Sequence, residues 1–277
     1  MNNFKIFFEI TDLCNHRCIH CCKYWRQDCF HTMSYEDIDK IFNIPASFYK
    51  ISGGEPGCVR DKVLYVIKKD SNISMNTNLT LWKDEDFQLF YNKNIKLYVS
   101  IVSLKKEEYK KITSANTFEI LLDNLNKIDK QSTITLVINP INIDSFEYNI
   151  NFLAELGFTN FTVTPMIPTN NLYINEKQSF DLIKQIYKYK RQLNIKTMYY
   201  VNDNYIVPYS HICEAGLNRI VILSNGDIVP CACFSAKPLG NIKDSNFNID
   251  KILKKGEEFF NSFPINQRKE CKGHILE

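Results

Sequence analysis

Long apolar runs are absent from this chain of 277 residues. No stretch approaches the roughly 20 consecutive apolar residues of a membrane-spanning helix, so no membrane partner is expected. A secretory signal is also missing. The apolar part of the opening segment is too short, Glu9 interrupts it, and no small-residue cleavage site follows. Together these absences predict a cytoplasmic protein. An excess of one charge sign is lacking too. The formal net charge of +3 is too small to imply a nucleic-acid partner, and the scattered lysines read as solvated helix faces. Internal repeats and low-complexity tracts do not occur. The remainder is an ordinary globular composition, 44% hydrophobic and 23% charged, in a chain long enough to bury a core without covalent staples.

Against these absences stand ten cysteines. In a reducing compartment, clustered cysteines read as metal ligands before disulfides.

Short β-rich runs alternate with amphipathic helical runs over the first two thirds of the chain. Strand candidates begin at Phe4, Ser47, Asn72, Lys96, Thr133 and Phe161. One helix is expected to start at Ser34, an N-cap candidate followed three residues later by Asp37, with Ile38, Ile41 and Phe42 on one face. Others are expected near 61–68, 83–91, 118–127, 145–156 and 176–192. Gly157 stands where a helix C-cap glycine belongs. Six β–α units in a row imply a parallel sheet covered by helices, either an open doubly wound sheet or a partial barrel. In barrels of this kind the chemistry sits at the C-terminal ends of the strands. Near residue 200 the alternation stops and cysteines return, so residues 1–201 are expected to form the main domain and 202–277 a small second one.

The first cysteine cluster reads Cys14-Asn-His-Arg-Cys18-Ile-His-Cys21 and directly follows the first strand. Three thiolates at this spacing can wrap three irons of a cubane and leave the fourth iron open to a small molecule. The competing reading is a zinc knot, for which His16, His20, Cys22 and Cys29 lie nearby as further ligands.

The next strand ends in Ser52-Gly53-Gly54-Glu55-Pro56. Cys-x-x-x-Cys-x-x-Cys in the first strand–helix loop, followed by Gly-Gly-Glu-Pro after the second strand, resembles the signature of the radical S-adenosylmethionine (SAM) superfamily. The resemblance covers most of the chain, because six β–α units match that superfamily's partial (β/α)6 TIM-like barrel. It implies a [4Fe–4S] cluster on Cys14, Cys18 and Cys21, with SAM on the open iron. It places Gly53, Gly54 and Glu55 at the SAM amino group. It implies reductive cleavage of SAM to a 5′-deoxyadenosyl radical that takes a hydrogen atom from substrate, with electrons from an external flavodoxin- or ferredoxin-type reductant. His20 would pack near the adenine, or be an ordinary loop histidine. Ser100 would lie near the SAM ribose or carboxylate, although Val102 and Ser103 stand where many relatives have Asp-Gly. Asn139 would bond the ribose, or serve as a turn residue before Pro140. Asn76 and Asn78 would line the same rim.

The second cluster comprises Cys213, Cys231, Cys233 and Cys271. Alternating apolar residues flank Asn225-Gly226, a strong hairpin signal that brings Cys213 and Cys231 into reach of one site. This region resembles the SPASM and twitch extensions, which carry auxiliary [4Fe–4S] clusters. The SPASM form has more cysteines than the four here, so the small domain is expected to be a twitch-like β-hairpin/α unit with one auxiliary cluster. Its ligands would be Cys213, Cys231 and Cys271, with Cys233, His274, a substrate atom or nothing as the fourth; zinc is the alternative metal. Cys58, just after the Gly-Gly-Glu-Pro loop, and Cys233 are candidates for a hydrogen-donating thiol, or simply small residues of the packing.

Relatives with this layout modify peptides or proteins, or oxidise and rearrange small molecules. Peptide modification is expected first by analogy. With the first strand beginning almost at Met1, no appended peptide-recognition domain is evident. A small-molecule substrate is the alternative, and a metal-stabilised binding protein the non-enzyme alternative.

Overall fold

Side-chain alternation decides which side of each strand meets the helices. In β1 (Lys5–Glu9), Ile6 and Phe8 are fully buried while Phe7 between them is only partly so. The same parity recurs in β2 (Phe48–Ser52), β4 (Lys96–Ile101), β5 (Thr133–Ile138) and β6 (Asn160–Pro165). In β3 (Ile73–Thr77) only Asn76 escapes burial. The computed structural model describes residues 4–21, 30–69, 72–166, 173–197, 215–232 and 238–262.

The helices are α1 (Tyr35–Phe42), α2 (Arg60–Ile67), α3 (Asp84–Asn92), α4 (Lys106–Thr113), α5 (Phe118–Lys127), α6 (Phe146–Glu155), α7 (Glu176–Tyr189) and α8 (Ile249–Asn261), among the described residues. Strands β1 to β6 pair in parallel and in sequence order, and β7 (Asn194–Thr197) adds a seventh. One continuous apolar core joins the helix-facing strand residues, such as Ile6, Ile51, Met75, Val99 and Leu136, to Ile38, Val63, Phe87, Leu121 and Ile150 of the helices. This is the α/β barrel-type arrangement the alternation predicts.

Local signals act where expected. Ser34 Oγ accepts from the Asp37 amide at 3.0 Å while Asp37 returns a bond to the Ser34 amide at 3.1 Å, a complete capping box. Gly157 closes α6 with φ +95°. Gly226 takes φ +96° in the turn between β8 (Arg219–Ile222) and β9 (Asp227–Val229), which pair antiparallel.

The hairpin does not build a sheet of its own. β8 pairs in parallel with the free edge of β1, and β9 and the short β10 (Gly240–Asn241) extend the same sheet, giving the order β10-β9-β8-β1-β2-β3-β4-β5-β6-β7. The boundary expected near residue 202 lies outside the described residues.

Helix α8 docks through two glycines. A Cβ on Gly256 would meet the Gly216 carbonyl oxygen, and one on Gly216 would lie 2.7 Å from the Gly256 oxygen. Glycine inside a helix costs about 1 kcal/mol relative to alanine, so its presence here reflects the close approach. Gly256→Ala should therefore lower the melting temperature despite its better helix propensity, whereas Glu257→Ala on the exposed side should leave it nearly unchanged. Thermal unfolding followed by circular dichroism checks both, and an equal or higher melting temperature for Gly256→Ala would contradict the packing argument.

Candidate active site

The segment after β1 leaves the sheet and returns to it, closed at its base by backbone and side-chain bonds. The Asp12 amide donates to His31 O at 2.9 Å, the Met33 amide to Ile10 O at 3.0 Å, and the Thr11 and Thr32 hydroxyls lie 2.7 Å apart. Cys14, Cys18 and Cys21 sit within this loop, all partly buried. Two further backbone bonds pin it to α4, from Arg17 N to Thr113 O at 2.8 Å and from Ile19 N to Ile112 O at 3.0 Å. His16 is a structural pin as well. Its Nε2 lies 3.1 Å from both Thr117 Oγ1 and Tyr109 Oη, its ring meets Tyr109 edge-on, and burial holds its pKa down at about 4. That nitrogen is committed to Thr117 and Tyr109.

The thiols share one electrostatic neighbourhood. Burial pushes Cys14 up to about 11 and raises Cys18 further; Cys21 adds to the rise at Cys14, and Cys14 and Cys21 add to that at Cys18. Thiolates so placed need a cationic group to ionise against. Among the described residues, no three His, Cys, Asp or Glu side chains are arranged around a single metal ion. Cys22 and Cys29 lie outside the described residues.

The Gly-Gly-Glu-Pro segment lies directly against this loop. The Gly54 amide donates to Thr11 O and the Glu55 amide to Leu13 O, each at 2.7 Å. A Cβ on Gly54 would collide with the Leu13 carbonyl oxygen and come within 2.5 Å of Asp12 O, so only glycine fits between the two backbones. Glu55 is buried. Its Oε1 accepts from Thr77 Oγ1 at 2.7 Å and from the Gly57 amide at 3.0 Å, and its Oε2 from the Asn78 amide at 2.6 Å. Burial nonetheless outweighs these three bonds and raises the carboxyl to about 7.

Sequence reasoning missed the polar network beneath this carboxylate. Asn78 Nδ2 donates to Asn15 Oδ1 at 2.8 Å, Asn15 Nδ2 donates to Thr80 Oγ1 at 2.9 Å, and Trp82 Nε1 donates to Thr77 Oγ1 at 2.8 Å. The end of β3 and the cysteine loop are thereby locked together. Asn15 falls between two signature cysteines, but its partners lie 63 and 65 residues away, beyond the reach of any local pattern.

The other expected residues fall around the same end of the sheet. His20 Nδ1 is buried without a hydrogen-bond partner among the described residues, and burial lowers its pKa to about 4. Ser100 is exposed, on the same sheet face as its neighbour Thr135. Asn139 is fully buried. Its Oδ1 accepts from the Ile141 amide at 2.9 Å, which satisfies the turn reading, yet its Nδ2 has no partner among the described residues. Asn76 is partly buried on β3. Where relatives have Asp-Gly, Val102 is buried and the Ser103 hydroxyl, just ahead of α4, donates to Glu108 in that helix's first turn at 2.8 Å. Cys58 is partly buried near Glu55 and the cysteine loop, with its pKa raised by burial.

Cys231 follows β9 and is partly buried beside the small cluster of Val221, Leu223, Val229, Phe7 and Ala232. Val229 pairs with Val221, which pairs with Phe7, and β9 runs antiparallel to β8. Two residues beyond Val229, Cys231 therefore lies toward the N-terminal end of β1, whereas the Cys14 loop leaves the C-terminal end. Cys213, Cys233, Cys271 and His274 lie outside the described residues.

The residues present fit the groups the cysteine signature calls for. Three neighbouring thiols in one loop offer the donor set for a cluster, and the Gly54 cradle admits no side chain. The unpartnered His20 Nδ1 and Asn139 Nδ2 leave polar atoms for a polar ligand at this end of the sheet.

Comparisons with known proteins agree with this geometry. The sequence profile described as the Radical SAM superfamily matches residues 8–147. The profile SPASM, described as an iron-sulfur cluster-binding domain, matches residues 213–273. A probable GTP 3′,8-cyclase of Sulfurisphaera tokodaii is 26% identical over 249 residues, covering 80% of this chain and 79% of that protein. A similar protein of Saccharolobus islandicus is 25% identical over 248 residues, covering 80% of each chain. Among solved structures, Streptococcus suis SuiB bound to precursor peptide SuiA superposes with a TM-score of 0.69 at 19% identity, over 88% of this chain and 63% of that one. This chain thus spans less than two thirds of that SuiB chain. SuiB bound to S-adenosylmethionine gives 0.74 at 16% identity, over 99% of this chain and 74% of that one. Native anSMEcpe with bound AdoMet and Cp18Cys peptide gives 0.73 at 15% identity, over 97% of this chain and 86% of that one. Among the described residues, no helix is long and apolar enough to cross a membrane.

Proposed function

The chain belongs to the radical SAM superfamily and is an enzyme, and from that premise we propose that it modifies a peptide or protein in the cytoplasm. In this reading Cys14, Cys18 and Cys21 hold a [4Fe–4S] cluster, Gly53, Gly54 and Glu55 receive the SAM amino group, and His20, Ser100 and Asn139 line the rest of the SAM site. When bound and reduced by an external flavodoxin- or ferredoxin-type donor, cluster and SAM together supply a 5′-deoxyadenosyl radical that takes a hydrogen atom from the substrate. The protein's own share is positional. The loop pinned by His16, Arg17 and Ile19 fixes the cluster end, and the buried carboxylate of Glu55 fixes one end of SAM. Residues 202–277 serve as the auxiliary domain, with Cys213, Cys231 and Cys271 as ligands and Cys233 or His274 completing the set. Cys58 and Cys233 are the candidate hydrogen-donating thiols.

The observation that carries the peptide reading is the fold shared over nearly the whole chain with an enzyme solved together with a peptide, anSMEcpe. The likeness to GTP 3′,8-cyclases over 80% of the chain supports a second reading, cyclisation of a nucleotide. Adding GTP to the anaerobically reconstituted, reduced enzyme with SAM separates the two. The peptide reading expects no stimulation of 5′-deoxyadenosine release and no new nucleotide product by mass spectrometry; stimulation with conversion of GTP would overturn it.

A test of the SAM site concerns Glu55. Bonds to a charged carboxylate contribute about 1.5–3 kcal/mol, so Glu55→Gln should weaken SAM binding by roughly 10- to 100-fold with iron content intact. The sign of the pH dependence follows from the raised carboxyl. Because folding favours its protonated form, the ligand-free protein has this stabilising contribution in full below pH 4.5 and loses it as pH rises through about 7. SAM binding has the opposite dependence, since it prefers the ionised form. Between pH 8 and pH 6, affinity of the native protein should fall about tenfold more than that of Glu55→Gln. Equal affinities at pH 8 would reduce the carboxylate to a structural cap.

A further inference from the structure

Four side chains on the inner face of the sheet stand outside the set assigned to cluster and SAM. Lys50 on β2 is the register neighbour of Phe7 on β1 and of Ser74 on β3. Its Nζ lies 3.4 Å from the centre of the Tyr98 ring and 5.5 Å from that of Phe7. Arg219 comes from β8, on the other side of β1, and its guanidinium carbon lies 5.3 Å from the Phe7 ring centre. The two cations therefore flank one aromatic ring. Arg219 Nε is buried with no hydrogen-bond partner among the described residues.

Among the described residues, no carboxylate forms an ion pair with either cation. Glu9, the nearest acid along that face of β1, is two residues past Phe7, pairs in register with Ser52, and has contacts of its own. Lys5 and Lys96, register neighbours of Arg219 and Ser74, add only further positive charge to the surroundings. Aromatic faces return part of what an ammonium loses when it leaves water, but they do not replace a counter-ion. The neighbouring guanidinium works against them. The result is visible in the lysine itself, which burial and, second, Arg219 bring down to about 7. Such a pair is completed by an anion.

Its place in the fold suggests which anion. The Cys14 loop leaves the C-terminal end of β1 and Cys231 lies toward the N-terminal end, so Lys50 and Phe7 lie between the two cysteine sites and Arg219, the register neighbour of Lys5, lies at the Cys231 end. We propose that Lys50 and Arg219 form an oxyanion-binding subsite of the substrate chamber, with Phe7 and Tyr98 holding the two cations apart and in place. This assignment rests on the reading of the inner sheet face as the chamber where substrate meets the radical. The group bound is a carboxylate, as on an acidic peptide side chain, or a phosphate, as on a nucleotide.

Isothermal titration of the reconstituted, SAM-loaded enzyme with two probes tests it, N-acetylglutamate α-amide for the carboxylate and inorganic pyrophosphate for the phosphate. One of the two should bind saturably, and Lys50→Met or Arg219→Met should weaken it at least tenfold, while Lys50→Arg should retain most of the affinity. Preference for the carboxylate marks an acidic peptide, and preference for pyrophosphate marks a nucleotide. Binding of neither probe, or equal binding to native and Met variants, would overturn the subsite. Basal release of 5′-deoxyadenosine in the same preparations should be unchanged in all variants. That reports the radical SAM reading separately, so a failed subsite is distinguishable from a failed SAM site.

Discussion

Changing Cys14, Cys18 and Cys21 together to alanine should reduce 5′-deoxyadenosine release to background and remove about four irons, the content of one cubane, from the reconstituted protein. The reason the loss would be chemical and not a collapse of the fold is written in the loop. Its base is closed by Thr11, Thr32 and His31, and its middle is pinned to α4 through Arg17 N, Ile19 N and the His16 ring. None of these contacts uses a thiol. The loop should therefore keep its path, and circular dichroism should match the native protein, while the iron that binds SAM has no ligands. Iron and sulfide content with product chromatography makes the measurement. If anaerobically isolated native protein instead carries zinc in this loop and cleaves no SAM, the central claim fails.

The cluster loop and the six-strand frame are legible because their signals are local. Parity along each strand marks the helix-facing side, Ser34 and Asp37 mark a cap, and Asn225-Gly226 marks a hairpin. Elements with weak local signals escape. Strand β7 is only four residues, Asn194–Thr197, at the sheet edge. Helix α4 is only eight residues long and buries Tyr109, Ile112 and Thr113 in a stretch of lysine and glutamate that reads as a solvated segment. The pairing of β8 with β1 spans more than two hundred residues of sequence, and nothing in either strand names the other. The site follows the same division. Cys14, Cys18, Cys21 and Glu55 stand out by spacing, whereas the Asn15–Asn78–Thr80 network and the facing of Lys50 and Arg219 exist only once distant strands meet.

That long-range pairing also shapes the second large effect. Changing Cys213, Cys231 and Cys271 to alanine should lower a native content of about eight irons to about four, as two cubane sites require. The triple variant at Cys14, Cys18 and Cys21 should keep the complementary four. Independence is expected because Cys231 lies toward the N-terminal end of β1 and the Cys14 loop leaves its C-terminal end. Five residues at about 3.3 Å each separate the start of that strand from the loop that leaves it, so neither cluster shares ligands with the other. SAM cleavage needs only the loop at the C-terminal end and should survive in part, uncoupled from product. Substrate conversion should be abolished, because the apolar cluster of Phe7, Val221, Val229 and Ala232 adjoins Cys231 and would form part of the wall of the proposed chamber. Iron analysis alongside the ratio of 5′-deoxyadenosine to product reads both effects. A native protein that saturates at about four irons, none of them lost when these three cysteines are changed, would leave a single-cluster enzyme with a purely structural hairpin.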